Sequence, residues 1–181
     1  MNNGFVIWLT GLPASGKTTI ARQLETRLKE MGKQVEVFDG DEVRKNLSSD
    51  LGFTKEHRRL HARRVAYVSE LLARNGIVAV VALISPFREF RDEARNQIDN
   101  FVEVYVKCSI ETCAKRDPKG LYKKAALGEI KDLTGPQEPY EEPLRPEVIV
   151  DTEQLTAEES VKEILGRLGD LDFLAGGLVG G

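Results

Sequence analysis

The eight residues GLPASGKT, at positions 11–18, constrain the fold more than any other stretch of the sequence. They match the pattern G-x-x-x-x-G-K-[ST], and they follow FVIWL at 5–9, an apolar run typical of a buried strand. A helical pattern comes next, with the apolar residues Ile20, Leu24, Leu28 and Met31 on one face. A strand, a turn and a helix in this order predict a phosphate-binding loop (P-loop).

The P-loop predicts a nucleoside triphosphate site that includes Mg²⁺, and GTPases, ATPase motors and small-molecule kinases all use this motif. The sequence has no Asn-Lys-x-Asp element to read guanine and no second nucleotide-binding domain, so its size and motifs favour a small-molecule kinase that uses ATP. Backbone N–H groups of the turn and the following helix N-terminus attract phosphate oxygens, Lys17 can reach the β and γ phosphates, and Thr18 can ligate the ion. A glycine-rich turn that only closes the strand–helix unit is the alternative, and the position of the pattern argues against it. The predicted ATP-binding residues here are Gly11, Leu12, Pro13, Ala14, Ser15, Gly16, Lys17, Thr18 and Thr19.

Four more strands are predicted from apolar or alternating runs, namely QVEVF at 34–38, IVAVVALI at 77–84, VEVYV at 102–106 and EVIV at 147–150. Helical patterns separate them, including one within 54–75 that Gly76 ends and a last one with a capping box of Thr156 and Glu159. Strands that alternate with helices indicate an α/β fold with a mostly parallel sheet and helices on both faces.

Composition bounds the partners and the location. A chain of 181 residues with a net charge of −3 suits one domain, predicted over 1–169 with a tail of unassigned order at 170–181. That charge gives no reason to expect a nucleic-acid or membrane partner. The longest apolar run is too short to cross a membrane, and only two cysteines, Cys108 and Cys113, are present, so we expect a cytoplasmic protein.

The segment FDGDEVR places Asp39 and Asp41 at the carboxyl end of the second strand. Doubly wound sheets bind ligands at this edge. One carboxylate can help to hold hydrated Mg²⁺, and the other can accept a proton from an attacking hydroxyl or orient it. A turn with an N-cap aspartate is the alternative, and the P-loop upstream favours a functional pair.

Two further segments carry arginines and serine toward the same edge. KEHRRLHARR at 55–64 has five Lys or Arg residues on a predicted helix, so some must be surface charges while others could capture phosphate or sulfate. His57 and His61 have the spacing of zinc ligands but lack a third ligand. ISPFREFR at 84–91 predicts a helix from Pro86 and places Ser85 at the ligand edge, with exposed arginines as the alternative to substrate contact.

The segment at 117–146 is predicted to be a mobile lid. Five of the seven prolines fall there, and its length exceeds that of an ordinary connection, which favours a functional loop. Its first residues, RDPKGLYKKA at 116–125, concentrate four cationic side chains in a mildly acidic chain. A solvated basic loop is the alternative to a lid that closes on anionic ligands.

Together these segments resemble the adenylylsulfate (APS) kinase family across nearly the whole chain. The resemblance is carried by GLPASGKT, DGDEVR, DLGF, R-x-x-x-x-RR, ISP-x-R, RDPKGLYKKA and TG-P-x-x-x-Y-E-x-P. It implies transfer of the ATP γ-phosphoryl group to the 3′-hydroxyl of adenosine 5′-phosphosulfate, with Mg²⁺, to give 3′-phosphoadenylylsulfate and ADP. It also implies a three-layer P-loop kinase fold with a five-stranded parallel core and a lid over 116–146, a homodimer, and association with ATP sulfurylase.

The resemblance implies a role for each matching residue. The catalytic residues are Asp41 as base or hydroxyl-orienting group, Lys17 on the phosphates, Asp39 in the metal shell with Thr18, and Ser85 as a positioning residue. Arg116 lies over the ATP adenine. The acceptor-binding residues are Asp41, Arg44, Phe53, Arg58, His61, Ile84, Ser85, Lys119 and Leu133.

Three positions depart from the family pattern, which usually has Asn at His61 and Phe at Leu83 and Leu133. In the family the last of these rings encloses the acceptor adenine together with the ring matching Phe53. Leucine keeps apolar contact but loses ring stacking, which predicts weaker acceptor affinity or altered specificity.

Two other functions stay open at this point. One is a related kinase that acts on another nucleotide or on a sugar hydroxyl, and the other is a catalytically silent nucleotide-binding partner of sulfate-activating enzymes. Retention of Lys17, Thr18, Asp39 and Asp41 argues against the silent partner.

Overall fold

The computed structural model describes residues 4–174. The strands are β1 Val6–Thr10, β2 Val35–Asp39, β3 Val78–Ala82, β4 Phe101–Lys107 and β5 Val148–Asp151. The helices are α1 Lys17–Glu30, α2 Gly40–Leu47, α3 Lys55–Arg74, α4 Arg88–Gln97, α5 Ile110–Arg116, α6 Leu121–Ala126 and α7 Ala157–Asp170. No helix within the described residues is both long and apolar enough to cross a membrane.

All strand pairs are parallel, in the order β2-β3-β1-β4-β5. The carboxyl ends of the five strands therefore meet at one edge, where the P-loop, Asp39, the loop after β3 and the loop after β5 lie side by side. This arrangement confirms the predicted α/β fold with a five-stranded parallel sheet and helices on both faces.

Successive residues of β1 contribute to two separate cores, one on each side of the sheet. Ile7 and Leu9 pack with α1 and α7 residues on one side, whereas Val6 and Trp8 pack with α3 and α4 residues on the other. All five residues of β1 are buried. A central strand covered on both faces must be apolar throughout, which explains the uninterrupted FVIWL run.

A third, smaller core joins the lid to the P-loop. It contains Leu12, Cys108, Cys113, Tyr122 and Leu133. Tyr122 on the short helix α6 donates a hydrogen bond from its hydroxyl to Pro13 O at 2.9 Å. The segment predicted as a mobile lid is thus folded onto the loop that it covers.

Several boundaries differ from the sequence prediction. Helix α4 begins at Arg88 rather than at Pro86, because Phe87 is its N-cap and has extended backbone angles. Met31 is the C-cap of α1 and is 45% exposed, so it does not extend the buried helical face. Helix α7 ends at Asp170, and Phe173 packs on Phe5 with ring centroids 5.0 Å apart, so part of the predicted tail belongs to the core. The remaining tail residues, 175–181, lie outside the described residues.

Candidate active site

A cavity of about 810 Å³ lies at the carboxyl edge of the sheet, between the P-loop, α2, α3, the lid and the loop after β5. It suits small-molecule ligands, whose sites measure roughly 300–1,000 Å³. The predicted site residues that line it are Pro13, Ala14, Gly16, Lys17, Thr18, Thr19, Asp39, Asp41, Arg44, Phe53, Arg58, His61, Ile84, Ser85, Arg116 and Lys119. Gly11, Leu12, Ser15 and Leu133 do not line it.

The backbone of the P-loop turns through left-handed φ angles and passes close to strand β4. Ala14 and Gly16 both have left-handed φ angles, 65° and 106°. A Cβ atom at Gly11 would lie 2.5 Å from Val106 O, so only glycine fits where the loop leaves β1 beside β4. Gly11, Leu12 and Ser15 are buried and form the structural side of the loop.

The Lys17 ammonium lies within the P-loop. It donates hydrogen bonds to Gly11 O at 2.9 Å and to Leu12 O at 2.7 Å. Burial lowers the pKa of Lys17 to about 8, and the nearby Asp39 and Asp41 carboxylates oppose that shift. The loop thus concentrates a cation where the P-loop motif predicts phosphate oxygens.

Thr18 and Asp39 form a pair of oxygen donors next to Lys17. The Thr18 hydroxyl donates to Asp39 Oδ2 at 2.6 Å, and Asp39 Oδ1 accepts a hydrogen bond of 3.3 Å from Asp41 N and so caps α2. A hydroxyl and a carboxylate fit Mg²⁺, which prefers oxygen ligands and keeps several waters. Within residues 4–174 no cluster of three or more acidic, His or Cys side chains could hold a metal ion. A magnesium ion here would therefore rely on phosphate and water for its other ligands.

Asp41 meets the lid across the cavity. Its carboxylate forms an ion pair with the ammonium of Lys119, which is 78 residues later in the chain. Both side chains remain more than half exposed. The structure therefore brings the predicted base and the predicted lid lysine together at a solvent-accessible position.

The guanidinium groups of two arginines lie over the ring of Phe53. The guanidinium carbon of Arg44 lies 4.6 Å from the ring centroid and that of Arg58 lies 5.7 Å from it. Arg58 also donates to Phe53 O, Thr134 Oγ1 and Asp132 O, at 2.7, 3.0 and 2.6 Å. The ring is 55% exposed. An aromatic face with guanidinium groups beside it can receive a planar base that carries an anionic group.

His61 lines the same cavity as Phe53. It is 6% exposed, and its Nδ1 lies 2.9 Å from the Ser48 hydroxyl. Burial, followed by the charges of Arg44 and Arg64, lowers the pKa of His61 to about 4. The imidazole is therefore neutral at neutral pH and serves as a hydrogen-bonding group.

Ser85 has a strained backbone that is held from the interior. Its φ angle is 46°, which is unusual for a residue other than glycine. Trp8 Nε1 donates to Ser85 Oγ at 3.0 Å, and Arg91 Nη1 donates to Ser85 O at 2.5 Å. The neighbouring Ile84 O accepts a hydrogen bond of 2.7 Å from Thr10.

Comparison with known proteins identifies the family of the chain. A family model described as adenylylsulphate kinase matches residues 3–151. The chain belongs to the adenylylsulphate kinase family. It is accordingly a phosphotransferase that acts on a hydroxyl group, and the resemblance seen in the sequence is confirmed.

Individual members of the adenylylsulphate kinase family match over nearly the whole chain. The adenylyl-sulfate kinase of Rippkaea orientalis is 52% identical over 95% of this chain and 95% of its own length. The "Probable bifunctional SAT/APS kinase 2" of Sorangium cellulosum is also 52% identical, but the chain spans only 30% of that protein. The solved structure of the Mycobacterium tuberculosis APS kinase CysC in complex with AMPPNP and APS has a TM-score of 0.89 at 38% identity, and covers 92% of this chain and 98% of that one.

The departure from the adenylylsulphate kinase pattern that has the largest expected effect, Leu133, does not line the cavity. Leu133 is 6% exposed and packs with Leu12 and Tyr122 in the core beneath the lid. A leucine that fills this small core has no free face for an adenine. Leu83 lines the cavity and is 5% exposed.

Sequence patterns missed the loop after β5. Thr152, Leu155, Thr156 and Ala157 line the cavity. Arg116 contacts this loop, with Nη1 donating to Thr152 Oγ1 at 2.9 Å and Nη2 donating to Thr152 O at 2.5 Å. The only available signal was position, because a loop that follows a parallel strand must open at the ligand edge.

The arginines of helix α3 point in different directions, as the sequence predicted. Arg58 reaches the cavity, while Arg59 pairs with Glu93 and Arg64 pairs with Asp50 at the surface. His57 accepts a hydrogen bond from Gly52 N. Arg91 is neither exposed nor in the cavity, because it is 2% exposed and forms an ion pair with Glu103.

Proposed function

We propose that the chain transfers the γ-phosphoryl group of ATP to the 3′-hydroxyl of adenosine 5′-phosphosulfate. The observation that carries this proposal is one cavity that is lined by the P-loop, by Phe53 and by Asp41. The P-loop half suits a triphosphate. The other half offers an aromatic ring and two guanidinium groups, which suit an adenosine that bears a phosphosulfate.

ATP would be held at two points, its phosphates and its base. Lys17 and the P-loop amides would hold the phosphates, and Arg116 with the loop at Thr152 and Leu155 would hold the base. Thr152 also donates to Ser15 O at 2.9 Å. This hydrogen bond joins the loop that would hold the base to the P-loop that would hold the phosphates.

Thr18 and Asp39 are the residues that would hold Mg²⁺. The chemistry that the bound ion supplies is neutralisation of charge on the β and γ phosphates. Asp39 also caps the start of α2, so the residue that would hold the ion also sets the position of Asp41.

Asp41 would orient the 3′-hydroxyl and accept its proton as the phosphoryl group is transferred. A carboxylate beside the attacking oxygen suits this role in phosphoryl-transfer enzymes. Lys119, which contacts Asp41, would move to the ligand phosphates when they are present, because their charge exceeds that of one carboxylate. The lid would then exclude water from the transferred group.

Purified protein incubated with MgATP and adenosine 5′-phosphosulfate tests the function. We expect equal amounts of ADP and 3′-phosphoadenylylsulfate, identified by mass spectrometry. Transfer only to a different nucleotide or to a sugar hydroxyl would replace the proposed acceptor. Nucleotide binding without transfer to any acceptor would indicate a silent partner.

We also propose a cytoplasmic homodimer that works with ATP sulfurylase. Two free, buried cysteines suit a reducing compartment. The bifunctional relative that contains a matching segment supports a link to a second enzyme. Light scattering should give about twice the chain mass of 20.2 kDa, and a mass equal to one chain would contradict the dimer.

A further inference from the structure

A buried arginine connects the loop at Ser85 to the part of the lid that returns to the sheet, residues 140–142, here termed the returning limb. Arg91 is 2% exposed. Its guanidinium donates to Ser85 O at 2.5 Å, to Glu141 O at 2.6 Å and to Glu103 Oε1 at 2.8 Å. One side chain therefore joins three segments that are distant in the chain.

Tyr140 forms a second connection between the same two segments. Its ring centroid lies 5.8 Å from the guanidinium carbon of Arg91, and its hydroxyl lies 2.9 Å from Thr10 Oγ1. Because the Thr10 hydroxyl hydrogen is donated to Ile84 O, the Tyr140 hydroxyl must be the donor to Thr10. Both carbonyl groups of Ile84 and Ser85 are thus linked to the returning limb.

These contacts hold a conformation that Ser85 would not adopt alone. Left-handed backbone angles at a serine persist only where surrounding contacts fix them. Within residues 4–174 the Ser85 N–H donates to no protein acceptor, although the residue is 6% exposed and lines the cavity. A buried N–H group needs a partner, so this donor is suited to a ligand oxygen.

We propose that Arg91 is a positioning residue that couples the lid to acceptor binding. Docking of the returning limb on Arg91 and Thr10 fixes Ile84 and Ser85 in the form that receives the acceptor. The P-loop half of the cavity has separate lid contacts, through Tyr122 and Arg116, so ATP affinity is independent of this coupling. The identity of the acceptor rests on the proposed function, whereas the coupling itself does not.

Arginine is specifically required because three acceptors lie around one planar group. A lysine at position 91 would keep the positive charge beside Glu103. Its single ammonium could not replace the planar guanidinium, which donates to two carbonyl groups and a carboxylate at once. Arg95 offers a matched control. It lies on the same helix and donates to the same Glu103 at 3.1 Å, but it contacts neither Ser85 nor the returning limb.

Hydrogen exchange measured by mass spectrometry tests the coupling without turnover. In Arg91→Lys we expect amide exchange about tenfold faster in peptides covering both 83–87 and 138–146, with P-loop peptides unchanged. Arg95→Lys should leave both peptides like those of the wild type. Acceleration of only one of the two peptides, or of all peptides equally, would overturn the coupling.

Steady-state kinetics tests the consequence for binding. We expect Arg91→Lys to raise KM for adenosine 5′-phosphosulfate about tenfold, with kcat and KM for ATP within about twofold of wild type. A purely structural role would lower kcat through loss of folded enzyme and leave both KM values alone, which would contradict the proposal. If the wild type does not act on this acceptor, the proposed function fails and the exchange experiment still decides the coupling.

Discussion

At the scale of single residues, the site depends on side chains whose positions are fixed from outside the cavity. Asp41 follows an N-cap aspartate, His61 is held by Ser48, and Ser85 is held by Trp8. Each of these three predicted site residues is therefore oriented by a neighbouring side chain. Such support holds the side chain within about 0.5 Å of the position that binding or catalysis requires.

Replacement of Asp41 by asparagine tests whether Asp41 acts in phosphoryl transfer rather than in ATP binding. Asp41→Asn keeps the size of the side chain but removes the proton acceptor, so the transfer rate should fall by about 10²- to 10⁴-fold. The dissociation constant for MgATP should stay within about twofold, measured by calorimetry. The neighbouring exposed Glu42, replaced by glutamine, is the control and should keep full activity. Equal loss of ATP binding and transfer in Asp41→Asn would contradict the role of Asp41.

His61 makes stability depend on pH in a direction that its environment fixes. Its pKa falls from an ordinary 6.5 to about 4 in the folded chain. As pH falls from 6.5 toward 4, the unfolded chain therefore binds a proton that the folded chain does not, and the free energy of unfolding decreases. Between pH 7.5 and 5 this loss amounts to about 2 kcal/mol.

His61→Asn should remove that dependence, because asparagine does not titrate. Urea unfolding at pH 7.5 and pH 5 measures it in both proteins. All other titrating groups are common to the two proteins, so the difference between them isolates His61. Identical losses of stability in wild type and variant between the two pH values would show that His61 titrates normally.

Most of the site could be predicted at this scale because short motifs fix it locally. The P-loop and FDGDEVR each follow a strand, so their side chains must reach the ligand edge. The buried positions of Arg91 and Leu133 could not be predicted, because they depend on partners such as Glu103 and Leu12 that are far away in the chain. An isolated arginine in a helical segment has no local feature that distinguishes burial from exposure.

At the scale of elements, the lid is a folded segment with its own small core. Helix α6 has only six residues and begins after Gly120, which has a φ angle of 66°. Asp117 Oδ1 and Oδ2 accept from Tyr122 N and Lys123 N, which satisfies part of the helix N-terminus. A helix this short is stable only through its contacts, so its contact with the P-loop determines the position of the lid.

Loss of the Tyr122 hydroxyl should loosen the lid. Tyr122→Phe leaves Pro13 O without its donor, which lowers the free energy of unfolding by about 1 kcal/mol and speeds amide exchange in α6 about fivefold. Hydrogen exchange over residues 119–127 measures this effect. Tyr67→Phe, at a position 56% exposed, is the matched control. Unchanged exchange in Tyr122→Phe would mean that the hydrogen bond does not hold the helix.

The elements themselves were predictable where one signal dominated. β-branched runs gave the strands, Gly76 with a φ of 81° ended α3, and the Thr156–Glu159 capping box started α7. The start of α4 was placed two residues early because Pro86 favours a first helical turn, whereas Phe87 remains extended. The fold class followed from the order of the elements, but the packing of the lid did not.

At the scale of the whole molecule, parallel strands gather five loops at one edge, and the cavity of the candidate site lies between these loops. The same sheet buries its central strands on both sides, and the lid is joined to the body by a small core of its own and by hydrogen bonds to Pro13, Thr10 and Arg91. A buried sheet with a separately packed lid above its edge suits an enzyme that must align two substrates and then exclude water.

The most direct test of direct transfer within this cavity is a crystal structure with a non-hydrolysable ATP analogue and adenosine 5′-phosphosulfate bound together. The distance to measure joins the Asp41 carboxylate to the 3′-hydroxyl oxygen. We expect about 2.6–3.2 Å, with that oxygen in line with the terminal phosphate. A separation of more than about 6 Å, with bulk water between the two ligands beneath a closed lid, would contradict direct transfer.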